Sequence, residues 1–367
     1  MIEVADIFRQ HAAAYRAHHS LLTHERRVMR DIELCRTAFF GGHVAQCDHC
    51  AELRYVYHSC RNRHCPKCHG EQSAAWLEQQ QTRLLPCPHY LLTFTLPATL
   101  RPLARQHPKI VYSLLLRCAA AATQKLAADA RFMGAMPAIL AVLHTWTRAL
   151  LYHPHVHLLV SAGGWTADQP WVPPRHPGFF VPVRALSVIF RAKMRQALGK
   201  ARLLEQTPAK TWSQPWVVHC QHAGAGEKVL GYLARYAFRV AITNSRLESF
   251  ADGQVTFRYR DNRTQQLQRV TLCAEEFIGR FMHHILPPGF PKVRYYGLAS
   301  SRRQVPREQA RALIKPNMAA STNTKDAATD LPSSAAKVAP APPLCPHCRI
   351  GHLIVVQTLR PRRKFPP

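Results

Sequence analysis

Apolar positions recur at helical spacing in two stretches near the start of the chain, "DIFRQHAAAY" and "THERRVMRDIELCRTAFF", and Thr23 stands where a cap for the second is expected. "SAAWLEQQQTRLLP" has the same periodicity and stops at Pro86. The β-rich run "HYLLTFTLP" predicts a strand over 89–97, closed by Pro97. Residues 98–128 are Leu- and Ala-rich and read as helix. Two strands follow, "AILAVLHTW" and "HVHLLVSAGG", the second ended by Gly163-Gly164. Beyond a Pro/Trp-rich loop, "VRALSVIFRAKMRQAL" predicts a helix, "WVVHC" a strand and "GEKVLGYLARYAFRVAI" a helix. "QVTFRYRD" then reads as strand and "AEEFIGRFMHHIL" as helix. Helices lying between non-sequential strands predict an α+β fold with an antiparallel sheet. Near residue 301 large apolar residues thin out, and "NMAASTNTKDAATDLPSSAAKVAPAPP" has the composition of a linker. Three units are expected: 1–86, 87–300 and a basic tail, 301–367.

Composition adds a partner. The 49 Lys and Arg against 21 Asp and Glu give a net charge of +28 over 367 residues. Such an imbalance repels itself, and nucleic acid is its natural counter-charge. Binding to a membrane surface is the weaker rival, since no basic amphipathic anchor stands out. No unbroken apolar run of about 20 residues predicts a membrane span. The N-terminal stretch lacks the build of a secretory signal, so the cytoplasm is the expected location.

The stretch "HPHVHLLV" (153–160) brings in candidate chemistry. In a strand, His153, His155 and His157 share one face while Val156, Leu158 and Val160 point into a core. The chain has 22 histidines, so about one H-x-H is expected by chance, and the motif needs support elsewhere.

A second constellation lies in "CDHCAELRYVYHSCRNRHCPKCHG". Two C-x-x-C knuckles, Cys47/Cys50 and Cys65/Cys68, are 14 residues apart, a spacing that predicts one structural four-thiolate zinc site. A disulfide or a redox pair is the bland alternative, and a reducing compartment disfavours the first. Cys60, His64 and His69 are surplus, able to replace a ligand or to support one. Arg54, Arg61, Arg63 and Lys67 make the module basic and suit it to DNA. A third knuckle, Cys345/Cys348, has only His347 and His352 near it and stays unassigned.

Downstream, Tyr232 and Tyr236 lie four residues apart and stack on one helical face. Alone, such a pair is more often packing than chemistry. Beside a histidine strand in a basic chain the balance reverses, with Lys228 on the same face and Arg235 and Arg239 flanking it. A tyrosine hydroxyl can attack a backbone phosphorus, leaving a phosphotyrosine bond and a free hydroxyl on the departing strand. The covalent bond conserves the phosphodiester energy for rejoining. Two imidazoles and a further ligand can hold a divalent ion that polarises the phosphate. In "VTFRYRD" and "KVRYYG", Arg258 suits phosphates, and Phe257, Tyr259, Tyr295 and Tyr296 suit base stacking on single-stranded DNA.

His155-Val156-His157 matches the histidine–hydrophobe–histidine (HUH) motif of rolling-circle nucleases. With "YLARYAFRVAITNSRL", "VTFRYRD" and "SCRNRHCPKC", in order over about residues 20–300, the chain resembles the rolling-circle transposases of the insertion sequence 91 family. The resemblance implies an N-terminal zinc-binding domain, an HUH endonuclease with a palm-like antiparallel sheet, and transposition through single-stranded DNA with 5′-phosphotyrosine intermediates. It makes His155 and His157 the metal pair, with Mg²⁺ or Mn²⁺ as the catalytic ion, and Tyr232 and Tyr236 the nucleophiles. Lys228, Tyr236 and Arg235 occupy the turn where relatives place a third ligand, so His153 and His144 are the candidate substitutes. The implied partners are single-stranded DNA at the ends of its own element and target DNA, with a second copy or host replication proteins as further candidates. A plasmid replication initiator or relaxase would share the chemistry; a non-catalytic zinc DNA-binding protein would not.

Overall fold

A computed structural model describes residues 2–68, 78, 80, 84–176, 178, 180–225, 241–261, 264–319 and 342–362. The N-terminal helices are α1 (Val4–His18) and α2 (Thr23–Glu33). Leu22, not Thr23, precedes the first turn of α2, and the Glu25 carboxylate does the capping by accepting from the Leu22 amide at 2.9 Å. A hairpin of β1 (Gly42–Cys47) and β2 (Leu53–Tyr57) follows.

The central layer is a five-stranded antiparallel sheet, built from β3 (Pro88–Thr95), β4 (Met136–Trp146), β5 (Tyr152–Trp165), β6 (Val218–Ala225) and β10 (Val293–Gly297) in the order β10-β4-β5-β3-β6. The long β5 therefore lies mid-sheet, between β4 and β3. It also runs past Gly163-Gly164, the expected stop. Gly163 takes a left-handed φ of 140°, and the Trp171 ring lies where a side chain at that position would go.

The Leu/Ala-rich segment breaks at His107 into α3 (Arg101–Gln106) and α4 (Pro108–Ala127), with Pro108 opening the second helix. α4 and α5 (Val183–Lys200) cover one face of the sheet. Phe94, Val156, Leu158 and Val160 meet Leu115, Phe190 and Met194 there, all with no exposed surface. Each such side chain contributes roughly 1.5–3 kcal/mol by leaving water. The alternation of β5 thus commits its other face, the histidine face, to a different environment.

A second core joins α1, α2 and α6 (Ala274–Met282) to a three-stranded sheet of β7 (Leu247–Ala251), β8 (Gln254–Arg260) and β9 (Leu267–Cys273). Phe8 meets Phe281 edge-on at 5.3 Å. Residues 247–282, expected within the middle unit, pack on the N-terminal helices. Helix α7 (Gln304–Ala319) buries Ala310 and Ile314 against Leu85, Cys87 and Leu298. Farther on, β11 (Leu353–Leu359) pairs antiparallel with β1, from Gly42↔Leu359 to Cys47↔Leu353, in the sheet β11-β1-β2. The end of the chain is thus part of its first sheet. Among the described residues no helix is long and apolar enough to cross a membrane.

Candidate metal centres

On the open face of the five-stranded sheet, β5 presents His155 and His157, and β4 places His144 directly opposite His155. One ligand nitrogen from each of His144, His155 and His157 lies within 4.8 Å of the others. Their ring centroids are 4.7–5.3 Å apart. The Nδ1–H of His155 donates to the His153 carbonyl oxygen at 2.7 Å, and Nδ1 of His157 meets Thr93 Oγ1 at 3.0 Å. Bonds at Nδ1 orient both rings, as is usual around a metal-binding histidine. Burial pushes His155 down to about 4 and His157 down to about 3. Both are neutral at pH 7 with a lone pair to give.

His153 does not join this group. Its Nδ1 lies 2.6 Å from Arg101 Nη2 at the start of the strand. Three alternate positions span about 13 Å of strand at about 3.3 Å per residue, too far for His153 and His157 to share an ion. A residue opposite on the neighbouring strand is only about 5 Å away, so His144 supplies the third imidazole. The Trp146 ring stacks on His144 with centroids 4.9 Å apart, and Lys292 Nζ sits 4.7 Å from the centre of that indole. Lys292 is a buried amine pushed down to about 7, and its charge is felt at His155. Sequence reasoning missed it; only the fold of β10 brings it near.

The cysteines depart from the expected pairing. Cys47 and Cys50 do not meet Cys65 and Cys68. Instead Cys35, Cys60, Cys65 and Cys68 form one cluster, and Cys47 and Cys50 face Cys345 and Cys348. The reason is the hairpin: the first knuckle forms its tip, while Cys60 follows β2 at its other end. Six residues of β1 separate these ends by about 20 Å. Cys35, at the end of α2, replaces the missing knuckle. Its Sγ and that of Cys60 each lie 3.5 Å from Cys68 Sγ, against about 2.05 Å for a disulfide. The Cys60 amide donates to Cys35 Sγ and the Asn62 amide to Cys60 Sγ, both at 3.5 Å. Four close thiols with amide donors suit a structural zinc ion. Cys60, surplus in the sequence, is thus central, and His64 is not a ligand. Burial drives His64 down to about 3.

Several expected DNA contacts are otherwise engaged. Arg63 donates to the carbonyl oxygens of Phe290 (2.6 Å) and Pro287 (3.0 Å), so it ties the zinc module to the loop before β10. Phe257 is fully buried, because it shares the inward face of β8 with Val255. The Tyr295 hydroxyl donates to Gln80 Oε1 at 2.7 Å, and Tyr296 packs on the α4–α5 core. Arg258 is exposed on the outer face of β8, 3.9 Å from Glu248. Tyr232, Tyr236, Lys228, Arg235 and Arg239 fall in 226–240, and His69 falls in 69–77, outside the described residues.

A sheet with a histidine centre, a four-cysteine cluster and a strong positive charge describes a DNA-processing enzyme, and the comparisons agree. The family model "Transposase zinc-binding domain" matches residues 7–96, and "Putative transposase" matches 138–307. The chain is 41% identical to "Putative transposase y4qJ" of Sinorhizobium fredii, over 97% of this chain and 95% of that protein. It is 30% identical to "Transposase for insertion sequence element IS801" of Pseudomonas savastanoi pv. phaseolicola, over 75% of this chain and 72% of that one. No solved structure matches. The chain belongs to the insertion sequence 91 family of transposases and carries that family's zinc-binding domain.

Proposed function

We propose that this transposase cleaves and rejoins single-stranded DNA by a metal-dependent, rolling-circle route, with 5′-phosphotyrosine intermediates at Tyr232 and Tyr236. The observation that carries the reading is the trio of histidines on adjacent central strands, neutral at His155 and His157 and oriented through Nδ1. Two neutral imidazole ligands are ready in advance: no proton has to leave His155 or His157 before an ion binds at pH 7.

His144, His155 and His157 would hold the ion, which when bound withdraws charge from the scissile phosphate. Among the described residues the group contains imidazoles and no carboxylate. Such a donor set fits Mn²⁺ better than Mg²⁺, which prefers oxygen. The tyrosine hydroxyl oxygen bonds to phosphorus, the bond to the 3′ oxygen breaks, and that oxygen takes a proton to leave a free 3′ hydroxyl. A tyrosine with a pKa near 10 is a poor nucleophile at neutral pH, so a bound divalent ion that activates the phosphate would matter to the attack. Two tyrosines allow two cleavages without release of the first product. The basic surface supplies affinity for the DNA phosphates, at the ends of the element and in the target.

The test is a denaturing gel of the protein, single-stranded oligonucleotides from both flanks of its gene, and Mn²⁺ or Mg²⁺. A covalent adduct should form, be lost in His155→Ala, and be divided between the ends by Tyr232→Phe and Tyr236→Phe. Tight binding to every flank with no adduct under either ion would leave a non-catalytic DNA-binding protein.

A further inference from the structure

The matched zinc-binding segment ends at residue 96 and the second matched segment at 307, yet a second set of four thiols takes two of its members from beyond both. Cys47 and Cys50 come from the β1–β2 tip, and Cys345 and Cys348 from the last described segment. Cys47 Sγ lies 3.6 Å from Cys348 Sγ, and Cys50 Sγ lies 3.8 Å from Cys345 Sγ. A regular tetrahedron with Zn–S bonds of about 2.3 Å has edges of about 3.8 Å, whereas a disulfide closes to about 2.05 Å. The spacing is that of four ligands around one ion.

The backbone is shaped to the same end. The His49 and Cys50 amides donate to Cys47 Sγ, and the Gly351 amide donates to Cys348 Sγ, each at 3.4 Å. Ala51 and Arg349, each directly after the second cysteine of its knuckle, take the left-handed conformation with φ of 58°. The same turn recurs after Cys35 and Cys60, at Arg36 and Arg61. Four non-glycine residues thus take that uncommon conformation directly after a cysteine, two in each thiol cluster. Gly351 lets the two knuckles close. A Cβ there would come within 2.6 Å of the His49 Cβ and 2.7 Å of Cys47 Sγ. Around the thiols, Asp48 and His352 exchange two bonds: the Asp48 amide donates to the His352 carbonyl at 3.1 Å, and the His352 amide to Asp48 Oδ1 at 2.7 Å.

We infer that Cys47, Cys50, Cys345 and Cys348 form a second structural zinc site, split between the two ends of the chain, which clasps β11 onto β1. Its first knuckle is useless alone, and so is its last. This accounts for a C-terminal C-x-x-C with no partner nearby in sequence. The inference is independent of the histidine centre and its chemistry.

Zinc is counted by native mass spectrometry on the full chain, in a His155→Ala, His157→Ala background so that the histidine centre adds none. Two zinc ions per chain are expected, falling to one on adding Cys345→Ser and Cys348→Ser. One ion before those changes, or no loss after them, overturns the site. Zinc absorption spectroscopy on the unmutated cysteine background gives a readout that needs no cysteine variant: only sulfur neighbours at about 2.3 Å support the site, and mixed nitrogen and sulfur overturn it. Hydrogen exchange reads the clasp. Amides of 42–47 and 353–359 should exchange at least about tenfold faster in the cysteine variant while α4 is unchanged, and unchanged strands overturn the clasp.

Discussion

His144→Ala and His153→Ala should behave differently although both residues lie beside His155 and His157. His144 supplies one of three ligand nitrogens within 4.8 Å of one another. Losing a supporting hydrogen bond around a metal-bound histidine costs about 10- to 100-fold in affinity, so losing a ligand outright costs about 100-fold or more. Thr93→Val, which removes the 3.0 Å contact to His157 Nδ1, belongs in the 10- to 100-fold range by the same rule. His153→Ala removes a ring held by Arg101 but keeps the carbonyl that orients His155, so its effect stays below about threefold. Mn²⁺ titration by electron paramagnetic resonance measures all three, with circular dichroism showing that each variant is folded. The order His144→Ala, then Thr93→Val, then His153→Ala is the prediction. If His153→Ala weakens Mn²⁺ as much as His144→Ala does, the cross-strand assignment of the third ligand is wrong.

Adduct formation should be faster with Mn²⁺ than with Mg²⁺ at equal concentration, and a clear preference for Mg²⁺ would argue for an oxygen ligand that the trio does not contain. His284 is fully buried and pushed down to about 3, below its unfolded value of about 6.5, so its contribution to stability is complete above about pH 6.5 and is lost as the pH falls toward 3. Urea unfolding should show His284→Gln losing about 1.4 kcal/mol less than the parent between pH 7.5 and 5.5, and parallel losses would refute the burial argument. Arg63→Ala should cost about 1.5–3 kcal/mol, because it breaks charge-assisted bonds to the Phe290 and Pro287 carbonyls. The slope of DNA affinity against salt should not change with it; a slope shallower by about one unit would return Arg63 to the DNA surface.

The legible parts of this molecule are local. Period-two alternation in 153–160 places Val156, Leu158 and Val160 in the core and the histidines opposite, and helical spacing locates α1, α5 and α6 within a few residues and the start of α2, which ends at Glu33 rather than near Phe40. What sequence cannot supply is register between distant segments. His144 against His155 depends on how β4 slides along β5, and nothing in "VLHTW" announces it. Cys35 is a lone cysteine at a helix end, with no spacing to mark it. Two C-x-x-C pairs 14 residues apart suggest one site because the count of cysteines is right; the length of the intervening hairpin, which keeps them apart, leaves no trace in that count. Composition suits Phe257 and Arg63 to DNA, and burial and carbonyl contacts give them structural duties instead.

The pairing of β1 with β11 also has a consequence in time. About 300 residues separate Cys47 from Leu353, and at roughly 5–20 residues per second a ribosome needs about 15–60 seconds to make them. During that interval β1 has β2 along one edge and nothing of its own chain yet available for the other. The sheet that β1 belongs to is therefore completed only after about 300 further residues have been made, and a nascent chain released before then leaves with an open strand edge and two bare thiols.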